Sequence, residues 1–296
     1  MDAFSGEGEL LNISTAFHTH AYSSVLSFDT KPLSPQNRVA AQILKYRAQI
    51  ALGKSREVLS AVGNSKDAAS QSIKALAQYS TNNAAGLQLA TQLAESEGED
   101  PVVQICCGTV FASAGETAKA IELLGKHQGN LEAVALLTQI HLSQNRTDLA
   151  LKEVQAAKRW AQDSLLINLA EAWVNLRIGG SEKYQSTFYV YEELASTPST
   201  TSPTSLVGQA VAELHLGRLP EAEAALHQAM QMENVDPQAI ANSIVLASLM
   251  GKKSETIMLT EQLRNAVPEH AFLQDLEAKA ALFDAKAANY QPKVAS

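Results

Sequence analysis

Aromatic residues are scarce in this chain, 5% of its 296 positions, while alanine and leucine abound. That vocabulary suits helices and is poor in the β-branched and aromatic residues that strands prefer. Basic residues are outnumbered, 23 Lys and Arg against 31 Asp and Glu, for a net charge of −8. The chain therefore lacks the positive footprint that holds a phosphate backbone and the polybasic cluster that holds anionic lipid. No direct binding to nucleic acid and no membrane insertion are expected. Long apolar runs are missing too, since none approaches the roughly 20 residues of a transmembrane helix. Only two cysteines occur, Cys106 and Cys107. A bridge between neighbours would be strained, so they read as two buried thiols in a reducing compartment. The start, MDAFSGEGELL, is acidic where a targeting segment would be basic, and the ending KVAS matches no lipidation or retention signal. A cytosolic protein is expected, with the sequons at Asn12 and Asn145 read as chance matches.

Reactive constellations are also lacking. Residues 108–119, GTVFASAGETAK, hold glycines and a lysine but no GK[ST], so they read as a helix turn rather than a phosphate loop. His18 and His20 are two apart and do not share a helix face, and no HExxH or CxxC spacing occurs. No GxSxG elbow is present. The acidic clusters at Glu97, Glu99, Asp100 and at Glu192, Glu193 read as solvated faces and turns, and Ser164, Ser205 and Ser254 as helix caps. No catalytic residue, metal ligand or cofactor site is expected, and hence no enzyme. An enzyme would need polar groups from distant segments to converge in a pocket, a possibility that sequence leaves open.

What the chain does contain is order among its small residues. In LGRLPEAEAALHQAMQ, residues 216–231, Gly217 is followed by Ala222 and Ala229. One repeat later come Gly251, Thr256 and Leu263. Earlier come Thr187 and Leu194 behind Gly179-Gly180, then Ala150 and Ala157 behind Gln144-Asn145-Arg146. The first small position thus falls at 150, 187, 222 and 256, close to the 34-residue helix–turn–helix period of tetratricopeptide repeats. The small residues are then spacers where helices cross, and the glycine or short polar group covers the tight turn. About eight helix pairs and a cap are expected. The degenerate pairs span about 8–95, the clearer ones about 101–268, and the C-terminal capping helix about 269–290, all in one solenoid domain, 1–296. On the cap, Phe272, Leu273, Leu276, Ala280 and Phe283 should share an apolar face. Residues 196–205, STPSTTSPTS, read as the best candidate for a mobile loop.

Trp160 and Trp173 are the only tryptophans. Core packing is the default for both, with Trp173, on a first helix of a pair, the better candidate for an anchor in a groove. First helices line the concave wall of such solenoids. The repeat spacing places Gln139 and Leu142, Trp173 and Leu176, and Val211 and Leu214 near that wall, to be read either as partner-binding residues or as packing between neighbouring helices. Carboxylate-clamping chaperone adaptors would instead present Lys, Asn and Arg, where this chain has Val207, Val211, Leu214, Ala241 and Val245. A scaffold or adaptor of another cytosolic complex is the alternative reading.

Five stretches resemble the coatomer epsilon subunit family: GELLNISTAFHTHAY, NRVAAQILKYRAQIAL, AEAWVNLRIGGSEKYQSTFYVYEEL, GQAVAELHLGRLPEAEAALHQAM and PEHAFLQDLEAKAALFD. They stand in the family's order and span nearly the whole chain. The resemblance implies an all-α solenoid curled toward a ring that encloses a segment of the C-terminal region of the alpha subunit of coatomer. It also implies a non-enzymatic role in the COPI vesicle coat, recruited by an Arf-type GTPase to the cytosolic face of Golgi membranes, in Golgi-to-ER retrieval and intra-Golgi transport. Residues 196–205 are longer and more polar than the animal members suggest, and the N-terminal third is less alike.

Overall fold

The computed structural model describes residues 6–63, 65–232 and 235–290; the ending KVAS lies outside them. Among the described residues every regular element is a helix. The chain divides into two compact units, 1–201 and 202–296. The first holds six antiparallel pairs. These are α1 (Gly6–His18) with α2 (Tyr22–Ser27), α3 (Pro35–Ala51) with α4 (Ser55–Val62), and α5 (Ala68–Tyr79) with α6 (Asn83–Ser96). They continue as α7 (Pro101–Ser113) with α8 (Thr117–Leu124), α9 (Leu131–Ser143) with α10 (Thr147–Lys158), and α11 (Leu165–Ile178) with α12 (Ser181–Ser196). The second unit holds α13 (Pro203–His215) with α14 (Leu219–Met230), α15 (Pro237–Leu249) with α16 (Lys253–Ala266), and a single α17 (Ala271–Ala287).

One backbone device ends the first helix of five pairs. Gly53, Gly115, Asn145, Gly217 and Gly251 all adopt positive φ, from 59° at Asn145 to 77° at Gly53 and Gly115. The amide of the residue after each bonds back five residues: Lys54 to Gln49, Glu116 to Phe111, Arg146 to His141, Arg218 to Glu213 and Lys252 to Ala247, all at 2.8–2.9 Å. This is the Schellman closure, which satisfies carbonyls that a helix end would otherwise orphan. Asn145 is the side chain best able to replace glycine there, because asparagine tolerates the left-handed region. The glycine position read from the sequence is therefore a requirement on φ.

Five residues after each turn comes a residue at the helix crossing. Val58, Ala120, Ala150 and Ala222 are fully buried there, and so is Thr187 at the matching position of α12. Seven further on, Ala157, Leu194, Ala229 and Leu263 are buried as well. Thr256 is only half-buried, consistent with its place in the last complete pair. Gly108 lies in α7 against Leu124, whose Cδ2 would come within 2.9 Å of an added Cβ. It serves helix packing, and no phosphate loop forms. Both cysteines of α7 are buried and unbridged.

Three expectations are corrected. Ser202, not Ser205, is the N-cap of α13; Ser205 is its reciprocal partner in the capping box. Ser164 stands at the N-cap of α11 without a side-chain bond, and Ser254 lies inside α16. Residues 196–205 are tied by hydroxyl hydrogen bonds, with Thr200, Ser202 and Ser205 buried. On α17 only Leu273 is buried, with Phe272 packed beside it; Leu276 and Phe283 are exposed, at 45% and 71%, and so is Ala280. An apolar face on a helix needs a second helix to cover it, and the buried apolar contacts of α17 lie in its first turn, with Glu277 beyond it 3.9 Å from Arg264 of α16.

Candidate partner-binding surfaces

In the first unit, first helices share an interior. Leu10 and Ser14 of α1, Ile43 and Arg47 of α3, Ile105 of α7 and Glu132 of α9 all line one cavity of about 230 Å³. Its polar floor is an ion pair between residues 85 apart: Arg47 Nη2 donates to Glu132 Oε2 at 2.6 Å. His18 Nε2 lies 3.8 Å from the other carboxylate oxygen. The Arg47 guanidinium also stacks over the Phe17 ring at 4.5 Å, a cation–π contact. Asn130 fixes the start of α9, its side chain accepting from the amides of Glu132 and Ala133.

Environment sets the charge states. Burial is the largest influence on His18 and holds its imidazole down to about 4, so it is neutral near pH 7 even with Glu132 beside it. Burial pushes the Glu132 carboxyl up, but the Arg47 charge and hydrogen bond outweigh it, leaving a net lowering. For Arg47 burial opposes the charge, and the Glu132 carboxylate more than offsets it. The result is a charged pair with a neutral imidazole alongside. Sequence reasoning missed this cluster, because nothing in the spacing of His18, Arg47 and Glu132 links three helices.

The six residues assigned to the wall fall as follows. Gln139 and Leu142 lie on α9, Trp173 and Leu176 on α11, and these two helices pack directly. Gln139 is exposed, while Leu142, Trp173 and Leu176 are half-buried. Trp173 packs beside Leu169, Ala172, Tyr191 and Leu194, and its indole N–H donates to the Tyr191 hydroxyl at 3.0 Å. Burial and that bond push the Tyr191 phenol in opposite senses, burial winning and raising it to about 12. Trp160, given the same core default, is instead 54% exposed in the turn after α10. Val211 and Leu214 lie half-buried on α13 of the second unit. There Val245 and Leu249 of α15 are exposed, whereas Val207 and Ala241 are buried.

The second unit has a groove of its own, about 240 Å³, lined by Leu226, Met230, Leu246, Met250, Met258 and Leu259. Lys252, paired with Glu223 and 3.8 Å from Glu255, also lines it, as do both carboxylates. Thioether side chains adapt to irregular apolar shapes, so the apolar part of this groove suits a nonpolar segment, while His227, Ser243 and Gln262 add polar groups to its lining. Among the described residues no helix is long and apolar enough to cross a membrane.

The family model described as Coatomer epsilon subunit matches residues 6–291. Coatomer subunit epsilon-1 of Arabidopsis thaliana is 29% identical over 283 residues, covering 93% of this chain and 94% of the relative. The probable coatomer subunit epsilon of Schizosaccharomyces pombe is 31% identical over 253 residues, 84% of each chain. Coatomer subunit epsilon of Caenorhabditis elegans is 26% identical over 286 residues, 93% of this chain and 96% of the relative. Among solved structures, a chain of the APC/C hetero-tetramer Cut9-Hcn1 superposes with TM-score 0.65 at 14% identity, covering 90% of this chain and 54% of that one. A tetratricopeptide repeat protein from Parabacteroides merdae gives 0.60 at 12% identity, covering 79% and 95%. At such identities the structural likeness shows the repeat fold alone.

Proposed function

We propose a partner and a binding mode from one premise: this chain belongs to the coatomer epsilon subunit family. Membership carries a structural role in the coat and association with other coatomer subunits. The finer proposal is that the chain binds the C-terminal region of the alpha subunit and joins the coat through it. It then acts as a non-enzymatic part of COPI at the cytosolic face of Golgi membranes, in retrieval to the endoplasmic reticulum and in intra-Golgi transport.

The observation that carries this reading is the state of the first helices. Leu142, Trp173 and Leu176 in the first unit, and Val211 and Leu214 in the second, are half-buried, and Val245 and Leu249 are exposed. Partly wet apolar side chains gain on being covered, at about 25 cal/mol per Å². Gln139 is exposed among them and gives a polar rim.

The test is binding of Leu176→Asp and Leu214→Asp to a fragment from the C-terminal region of the alpha subunit, with Ile257→Asp, at an exposed position of the second helix α16, as the control. A carboxylate at a partner contact should weaken binding by roughly 2 kcal/mol or more while circular dichroism stays helical. Folded variants that bind as the parent does would move the contact off these helices. Variants that unfold would return Leu176 and Leu214 to the core.

A further inference from the structure

The end of α12 is closed differently from the Schellman turns. Four successive carbonyls of its last turn accept from side-chain hydroxyls. Ser196 Oγ donates to Glu192 O at 2.7 Å, Thr197 Oγ1 to Glu193 O at 2.9 Å, Thr200 Oγ1 to Leu194 O at 2.8 Å and Thr201 Oγ1 to Ala195 O at 2.8 Å. The Thr197 carbonyl in turn accepts the amides of Thr200 and Thr201 at 3.0 and 2.9 Å. Thr197 is thus the centre of a hydroxyl cap, and the cap holds Leu194 against α11 beside Trp173.

The same segment holds two of the three places where a hydroxyl residue precedes proline: Ser34-Pro35, Thr197-Pro198 and Ser202-Pro203. They differ in access. Ser202 is 1% exposed and engaged as the N-cap of α13. Ser34 is half-buried at the N-cap of α3, where its amide donates to Glu9. Thr197 is exposed, outside the helix, with extended backbone at φ −90° and ψ 121°. An extended, exposed hydroxyl before proline is what a proline-directed protein kinase needs to seat its substrate.

We propose that Thr197 is a phosphorylation site for a proline-directed serine/threonine kinase, and that the modification opens the cap of α12. In the transfer, Thr197 Oγ1 attacks the γ-phosphorus of ATP held by the kinase. The Oγ1–P bond forms, the bond from the γ-phosphorus to the bridging oxygen breaks, ADP leaves with the electron pair, and the kinase's base takes the hydroxyl proton. The product has lost its only side-chain donor, so the bond to Glu193 O cannot persist. A charge near −2 now sits at the negative end of the α12 dipole, beside Glu192 and Glu193. All three effects oppose the folded turn. This site lies outside the partner wall, and its test does not depend on the alpha-subunit reading.

The experiment treats the folded 296-residue chain with ATP and a cyclin-dependent kinase, and maps phosphate by mass spectrometry. Label on Thr197 should exceed that on Ser34 or Ser202 by roughly tenfold or more, and Thr197→Ala should abolish it. In the purified phosphoprotein, amides of residues 193–201 should exchange roughly tenfold faster, while those of α7 and α9 are unchanged. Thr197→Val, which lacks the donor but adds no charge, should show a smaller rise in exchange. No label on Thr197, equal labelling of Ser202, or unchanged exchange after labelling would each overturn the proposal.

Discussion

The region around Arg47 and the region beyond Leu273 solve the problem of ending a stack of helices in opposite ways. At Arg47 a long-range polar tie joins α1 and α3 to α9, and the ionic groups are mostly covered. Beyond Leu273 a 17-residue helix buries apolar side chains only in its first turn and leaves Leu276, Leu282 and Phe283 exposed. The first region has a weak repeat signature in sequence and is well tied. The second carries Leu273, Leu276, Ala280 and Phe283 at helical spacing and is barely covered. Periodicity reports which face of a helix is apolar. It does not report whether another helix exists to cover that face.

The largest expected effect comes from breaking the tie. Arg47→Met removes the cation and leaves the Glu132 carboxylate in a largely covered site. Breaking one side of a buried pair costs about 3–5 kcal/mol; with the Glu132 side chain 24% exposed, about 3 kcal/mol is expected. Urea denaturation measures it. Adding Glu132→Gln should return much of that loss, because the stranded charge is gone. Two losses that simply add would show that the residues are independent.

A smaller effect should appear on acidification. Burial holds His18 near 4, whereas in the unfolded chain it titrates near 6.5. Between those values the unfolded chain takes up a proton that the folded chain refuses. The stability due to neutral His18 is therefore full above about pH 6.5 and is lost as pH falls toward 4. At about 1.4 kcal/mol per pH unit, about 2 kcal/mol should be lost by pH 5. His141, which burial also lowers, adds in the same sense. The Glu132 contribution is present above the ordinary glutamate range and is lost only at lower pH, which keeps it out of this window. His18→Gln should flatten the slope between pH 6.5 and 5; an unchanged slope would assign it to His141 and other groups.

These cases show what was legible in the sequence. The helix pairs, the turn positions and the buried small residues follow from local rules, because a left-handed φ admits few residue types and a crossing admits few sizes. Asn145 was readable as a glycine substitute for that reason. The cluster of His18, Arg47 and Glu132 was not, since its members meet only through tertiary packing. The hydroxyl cap of α12 looked like a polar, open loop, because composition does not show which carbonyl each threonine reaches. The six residues assigned to a wall lie on first helices, α9, α11 and α13, as the period expects, while the exposure of Trp160 depended on the turn after α10.

The smallest effect is expected at α17, where it separates two meanings of an apolar periodicity. Phe283 is 71% exposed, and its position along the helix suggests a packed face only if a cover is assumed. A core phenylalanine costs about 3–5 kcal/mol on truncation, from lost transfer energy and the cavity left behind. A side chain already in water loses neither. Phe283→Ser should therefore change the unfolding free energy of the isolated chain by no more than about 0.5 kcal/mol. The helix should persist, because serine in a helix interior costs only about 0.5 kcal/mol relative to the best formers. Differential denaturation of the parent and the variant, both purified as monomers, is the measurement. A loss above about 2 kcal/mol would mean that α17 folds back over its own unit in solution, and the contrast with the Arg47 region would then disappear.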